Sequence, residues 1–165
     1  MMKATADLHE ELGLRQNEVL HFPLHGLLST GHTLAMHVAL GSVSQIVLMG
    51  DEPKLVEQQI FAPGEICLLK PLLEAYPDYC PTEVLLANLA GGNVTERAIE
   101  RCRQHLHRAL DEGTWSRATG PVRNVLSRVR LKMHQFDIDI FTIIKIGYGL
   151  RRKPGEEAAQ ACQQR

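Results

Sequence analysis

Aromatic side chains are scarce in this sequence, at 5% of the residues with a single tryptophan. No uninterrupted apolar stretch approaches the ~18 residues of a membrane-crossing helix, which excludes a bilayer-spanning reading. The start, Met1-Met2-Lys3-Ala4-Thr5-Ala6-Asp7-Leu8-His9-Glu10-Glu11, lacks the apolar core of a secretory leader, so the cytoplasm is the expected location. Cysteine is sparse as well. Cys67, Cys80, Cys102 and Cys162 form no C-x-x-C pair, so neither a zinc knuckle nor a redox motif is expected. They read as free thiols, with Cys67 and Cys102 on apolar helix faces. No H-E-x-x-H, P-loop, G-x-G-x-x-G or G-x-S-x-G is present, and Ser127 has no nucleophile surround. His21 and His25 stand at an i, i+4 spacing that suits a metal, but no carboxylate or cysteine joins them at ligand spacing. These two, with His32 and His37, read as loop or surface histidines. Catalysis, a metal and a cofactor are therefore not expected.

What the chain has is an uneven distribution of charge. Its 165 residues are 44% apolar and 22% charged, an ordinary globular composition for one domain with short appendages. The formal net charge is only −1, yet residues 1–95 hold four basic against eleven acidic residues, while residues 96–153 hold thirteen against six. Such asymmetry points to a polyanion partner for the basic part, or to attraction between the two halves. The arrangement of the cations decides between these.

Periodicity supplies the elements. Leu8, Leu12 and Leu14 among acids predict a short amphipathic helix over 3–18. Residues 20–31, with Pro23, Gly26 and Gly31, read as a loop or irregular strand. Alternating Leu34, Met36, Val38 and Leu40 predict a half-buried strand over 33–40, followed by strands at 43–49 and 55–61 in an antiparallel meander. Ile66, Leu69 and Leu73 then set a helical stripe after Pro63, with Pro71 expected to kink or split that helix. A second helix runs from 81 to Gly91-Gly92. A third spans 95–110, with Ile99, Cys102, Leu106 and Leu110 inward. Residues 111–120 read as a loop whose Trp115 docks on the core, and a fourth helix follows Pro121. Residues 138–150 read as a β-hairpin, and the tail after Pro154 as frayed.

A basic helix leading into a hairpin, behind strands and shorter helices, resembles the winged helix-turn-helix domain of the OmpR/PhoB response-regulator family. That family closes with a helix similar to V-D-V-H-I-S-R-L-R-K-K-L and a wing similar to I-x-T-V-R-G-V-G-Y-x-L. Here the helix reads Val122-Arg123-Asn124-Val125-Leu126-Ser127-Arg128-Val129-Arg130-Leu131-Lys132-Met133, and the hairpin Ile140-Phe141-Thr142-Ile143-Ile144-Lys145-Ile146-Gly147-Tyr148-Gly149-Leu150. Residues 81–91, with Glu83, Leu85, Leu86 and Gly91, look like the family's second helix. Residues 62–76 look like its first, and 38–61 like the last strands of its N-terminal sheet. The resemblance covers about 33–152. It departs in three ways. Ile144-Lys145 replaces the wing's usual Arg-Gly, the extra helix 95–110 fills a normally short loop, and no receiver domain fits in front. The expected class is α+β: a winged helix-turn-helix with an N-terminal antiparallel sheet, three to four helices and a C-terminal hairpin wing. The expected division is 1–32, 33–153 and 154–165.

The resemblance implies a sequence-specific regulator of transcription that binds double-stranded DNA. Its recognition helix, 122–134, would enter the major groove while the hairpin 138–150 lies on the backbone. On a helical wheel Arg123, Asn124, Ser127, Leu131 and His134 gather opposite the apolar face, with Arg128 and Arg130 on its flanks. Arg123 suits guanine and Asn124 adenine, while Arg128, Arg130, Lys132, Lys145, Arg151 and Arg152 suit phosphates. Arg97, Arg101 and Arg108 make a rival basic face on the third helix, since Ile99–Leu106 and Leu126–Met133 share the shape apolar-x-Arg-x-Arg-x-x-apolar. RNA polymerase, at residues 91–120, and a second copy of the chain are further expected partners. The competing reading is an adaptor that uses the same shape to bind an acidic protein and not DNA.

Overall fold

The computed structural model describes residues 18–91 and 93–155. The N-terminal helix expected over 3–18, apart from Glu18, and the tail beyond Gly155, with Cys162, lie outside the described residues. No described helix is long and apolar enough to cross a membrane. The architecture is α+β and divides after Ala62 into two compact units.

The first unit is an antiparallel meander of four strands in sequential order: β1 (Val19–Phe22), β2 (His32–His37), β3 (Ser42–Met49) and β4 (Glu52–Ile60). The segment 20–31 thus contributes a strand, β1, before it turns. Strand β2 stops earlier than its alternation suggests because His37 starts a turn. Its carbonyl accepts the Gly41 N–H at 2.9 Å and its Nδ1 accepts the Leu40 N–H at 3.2 Å, leaving Leu40 exposed. Leu34, Met36, Val43 and Phe61 are buried. Gly50, at φ 69°, gives the β3–β4 hairpin its tight turn. Pro53 costs no ladder bond on β4, because β4 is an edge strand.

The second unit begins with α1 (Pro63–Ala75), in which Pro71 sits inside one continuous helix, so of the expected kink or split the split does not occur. A two-residue strand β5 (Cys80–Pro81) precedes α2 (Thr82–Leu89) and α3 (Glu96–Glu112). The Thr95 side chain accepts the Ala98 N–H at 3.1 Å to start α3, and left-handed Gly113 at φ 72° ends it. Leu110, expected inward on α3, is exposed, and Ala109 is buried in its place.

The expected loop over 111–120 is a correction. Residues up to Glu112 belong to α3, and α4 (Trp115–Met133) starts after a two-residue step, Gly113-Thr114. Pro121 lies inside α4, where it removes one backbone donor. Two side chains hold the turn before it: Thr119 Oγ1 donates to the Trp115 carbonyl at 2.9 Å, and Arg123 Nη2 donates to the Ser116 carbonyl at 2.5 Å. A single-turn 3₁₀ helix (His134–Phe136) ends at left-handed Asp137. It leads into β6 (Ile138–Ile143) and β7 (Gly147–Arg152).

The small sheet has the order β5-β7-β6, so the hairpin is joined edge-on to the strand before α2. Gly147 makes that possible, because a Cβ there would lie 2.2 Å from the Cys80 carbonyl oxygen. Gly149 is equally constrained: a Cβ would lie 2.5 Å from the Phe141 ring. Helix α4 packs on α1, α2, α3 and β6, with Val122, Leu126, Val129 and Met133 all at 1% exposure or less. Burying four such side chains, at about 1.5–3 kcal/mol each, anchors one face of α4 and leaves the other free.

Candidate nucleic-acid interface

The buried stripe of α4 fixes by geometry which residues look outward. At 100° per residue, Arg117, Asn124, Ser127, Arg128 and Leu131 fall opposite Val122, Leu126, Val129 and Met133, and all five are exposed. From Arg117 to Leu131 this stripe runs about 21 Å at 1.5 Å rise per residue. Leu131 is 68% exposed, an apolar side chain facing water on an otherwise polar face. Ser127 Oγ is turned back along the helix, donating to the Asn124 carbonyl at 2.8 Å. No acid occurs between Trp115 and Met133.

The remaining residues assigned from sequence separate by what they touch. Arg123 is exposed but spends one donor on the Ser116 carbonyl, as described above. Arg128 Nε lies 3.4 Å from Glu65 Oε2 and stays 60% exposed. Lys132 Nζ donates to Glu65 Oε1 at 2.5 Å and is half-buried. Glu65, in the first turn of α1, is only 2% exposed, so it draws both cations onto one edge of α4. Arg130 is also half-buried, and its Nε donates to the Ile140 carbonyl at 3.0 Å, tying α4 to the hairpin. Sequence reasoning placed Arg130 on a flank of the solvent face and counted Lys132 among the DNA contacts. In the structure both look sideways into the protein's own carbonyl and carboxylate.

The hairpin is short. Its turn is three residues, Ile144-Lys145-Ile146, closed by the Ile146 N–H donating to the Ile143 carbonyl at 3.0 Å. Lys145 sits at φ 61° in that turn, exposed between two exposed isoleucines. Arg151 and Arg152, expected just past the hairpin, belong to β7 itself. Arg151 Nε donates to Asp139 Oδ2 at 3.0 Å, and its guanidinium lies 5.5 Å from the Phe141 ring centroid. Asp139 also takes His134 Nε2 at 3.0 Å. Burial pushes the Asp139 carboxyl up, but the hydrogen bonds from His134 and Arg151 outweigh it and hold it below the usual aspartate range. Arg152 is exposed.

On α3, Arg97, Arg101 and Arg108 are all exposed, but Glu96, Glu100, Asp111 and Glu112 share the helix. Arg103 is bound to Glu83, at 3.3 Å, and to Glu100. The α3 field is therefore mixed in sign, while that of α4 has one sign.

Burial, with Glu83 and Glu74 nearby, pushes the Cys80 thiol up to about 12, so it stays protonated at neutral pH. Burial raises the Tyr148 hydroxyl too, against the opposing pull of Arg123 and Arg130, so the ring belongs to the core and the phenol stays neutral. His32 and His37 have local partners, Gln45 Nε2 at 2.9 Å and the Leu40 N–H. Arg117 is the outward residue that sequence reasoning missed. The missing signal is the helical character of residues 115–120, which Gly120-Pro121 hides but Thr119 and Arg123 secure.

No family model matches this chain, no curated protein matches it in sequence, and no solved structure matches it in fold.

Proposed function

We propose that this chain is a winged helix-turn-helix protein that binds duplex DNA sequence-specifically and regulates transcription. Helix α4 enters the major groove and the β6–β7 hairpin lies along the backbone. The observation that carries this reading is the outward stripe Arg117, Asn124, Ser127, Arg128 and Leu131 on a helix free of acids whose opposite face is fully buried. A major groove about 12 Å wide admits one such helix. Arginine pairs with guanine O6/N7, asparagine with adenine N6/N7, and an exposed leucine suits a thymine methyl. The succession of helix, strand, helices and hairpin, with the order β5-β7-β6, supports the same reading, since it brings the hairpin against the strand that precedes α2.

Base reading belongs to Arg117, Asn124 and Arg123. Phosphate contact belongs to Arg128, Lys145 and Arg152, with Arg151 shared between Asp139 and the backbone. Arg130 and Lys132 position α4 instead of touching DNA. Selection of bound sites from a random duplex pool tests the proposal. A defined motif should emerge, and two half-sites at fixed spacing would report a dimer. A pool unchanged after repeated rounds at low salt would remove the DNA reading in favour of a protein-binding adaptor.

A further inference from the structure

Where α3 ends and α4 begins, the second unit holds an open cleft of ≈ 250 Å³ beside the hairpin turn. Its floor is apolar: Leu106, Trp115 and Pro81. Its rim carries Tyr79, Leu110 and Ile146, which are 46%, 39% and 49% exposed. Three large apolar side chains left in water around one depression are unusual for a surface with no partner.

The walls are fixed. Ile146 offers its carbonyl to both the Thr82 N–H, at 3.1 Å, and Thr82 Oγ1, at 3.3 Å, which binds the hairpin turn to the start of α2. Arg103 and Glu83 pair at 3.3 Å across α3 and α2. The Thr114 N–H donates to the Ala109 carbonyl at 2.8 Å, setting Trp115 beside Leu110. A cleft already held open costs its ligand little ordering.

Size and charge narrow the occupant. The volume lies below the roughly 300–1,000 Å³ of sites that enclose a small molecule or cofactor, and suits a single large side chain. Around it stand the exposed Lys145 and the His107 imidazole, while Arg103 and Glu83 of the lining pair with each other and Arg103 also pairs with Glu100. Lys145 makes no salt bridge among the described residues. We infer that this cleft docks an acidic peptide segment of another protein, which inserts one aromatic or aliphatic anchor between Trp115 and Ile146 while a carboxylate beside the anchor meets Lys145. The inference does not rest on DNA reading: the outward stripe of α4 contributes nothing to the cleft, which shares only Lys145 and the hairpin turn with the proposed DNA contact.

The single tryptophan of the chain lines this cleft, so its emission reports occupancy directly. The experiment selects binders to the full chain from a phage-displayed random dodecapeptide library, then titrates synthetic copies of the enriched peptides while following Trp115 fluorescence. Acid-flanked peptides with one large apolar residue should emerge and shift the emission. Ile146→Glu and Leu110→Glu, both at exposed positions, should each weaken them at least about tenfold, the loss expected at an interface hot spot. Lys145→Glu should weaken them while an anchor-free acidic peptide remains without effect. Unchanged thermal melting shows that the variants fold. The proposal is overturned if no sequence is enriched, or if enriched peptides ignore all three substitutions.

Discussion

Helices α3 and α4 carry nearly the same local pattern of apolar residues and arginines, and the structure gives them different surroundings. Helix α3 buries Leu106 and Ala109 and spreads four acids among its four arginines. Helix α4 buries Thr119, Val122, Leu126, Val129 and Met133 and has no acid of its own among five cations, two of which pair with Glu65 of α1. A pattern of arginines alone therefore does not define a polyanion surface. What matters is whether the opposite face is anchored and whether the cations are already neutralised by neighbours. On α3, Arg103 is paired twice. On α4, the inward-leaning Arg130 and Lys132 are satisfied within the protein while Arg117, Asn124 and Leu131 are left to water.

The largest test of this contrast is in the anchors. Leu126→Ala should lower the unfolding free energy by about 3 kcal/mol, as large-to-small core changes do. Leu110→Ala, at an exposed position on α3, should stay within about 0.5 kcal/mol. Urea titration of the two variants reads the difference, and equal losses would break the contrast. Next comes the seat of the hairpin that follows α4. Gly147→Ala drives a methyl into the Cys80 carbonyl and should cost about 2 kcal/mol, with amide exchange accelerated across β5 and β7.

Function separates the helices next. Asn124→Ala or Arg117→Ala should each cost about 1–3 kcal/mol of DNA affinity and relax one position of the selected motif. Replacing Arg97, Arg101 and Arg108 together should leave the motif unchanged and at most lower the salt slope. The smallest effect is in pH. The lowered Asp139 pKa means its contribution is fully present above the ordinary aspartate range and fades as pH falls through the folded value. Asp139→Asn should therefore cost about 1 kcal/mol at neutral pH, the guanidinium partner being half in water. That cost should disappear in acid, which thermal melting across pH 2–7 measures.

How much of this was legible beforehand follows physical lines. Strands β2, β3 and β4 of the first unit, α1, α2 and the hairpin announce themselves through alternation and spacing that burial enforces, while β1 falls in a segment that reads as a loop or irregular strand. The start of α4 does not, because Gly120-Pro121 looks like a break. Only the side-chain bonds of Thr119 and Arg123 to preceding carbonyls reveal a continuous helix. The same blind spot hid Arg117 and made Trp115 look like part of a loop. Nor does a wheel show that Arg130 reaches a strand carbonyl or that Glu65 waits beside Arg128 and Lys132. Those are contacts between segments ten to sixty-seven residues apart in sequence. The Gly-Tyr-Gly run was legible as a motif, but its reason, two close approaches at Gly147 and Gly149, needed coordinates.

Fluorescence anisotropy on a selected duplex and a scrambled one, from low to high salt, bears most directly on the whole account. The wild-type protein should prefer the selected duplex and show a log–log salt slope of about −0.9 per phosphate contact. The Arg117→Ala/Asn124→Ala double variant should keep most of that slope and lose the preference. Equal binding of both duplexes by the wild type, or a preference that survives the double variant and vanishes with the α3 arginines, would contradict the assignment of α4 as the reading helix.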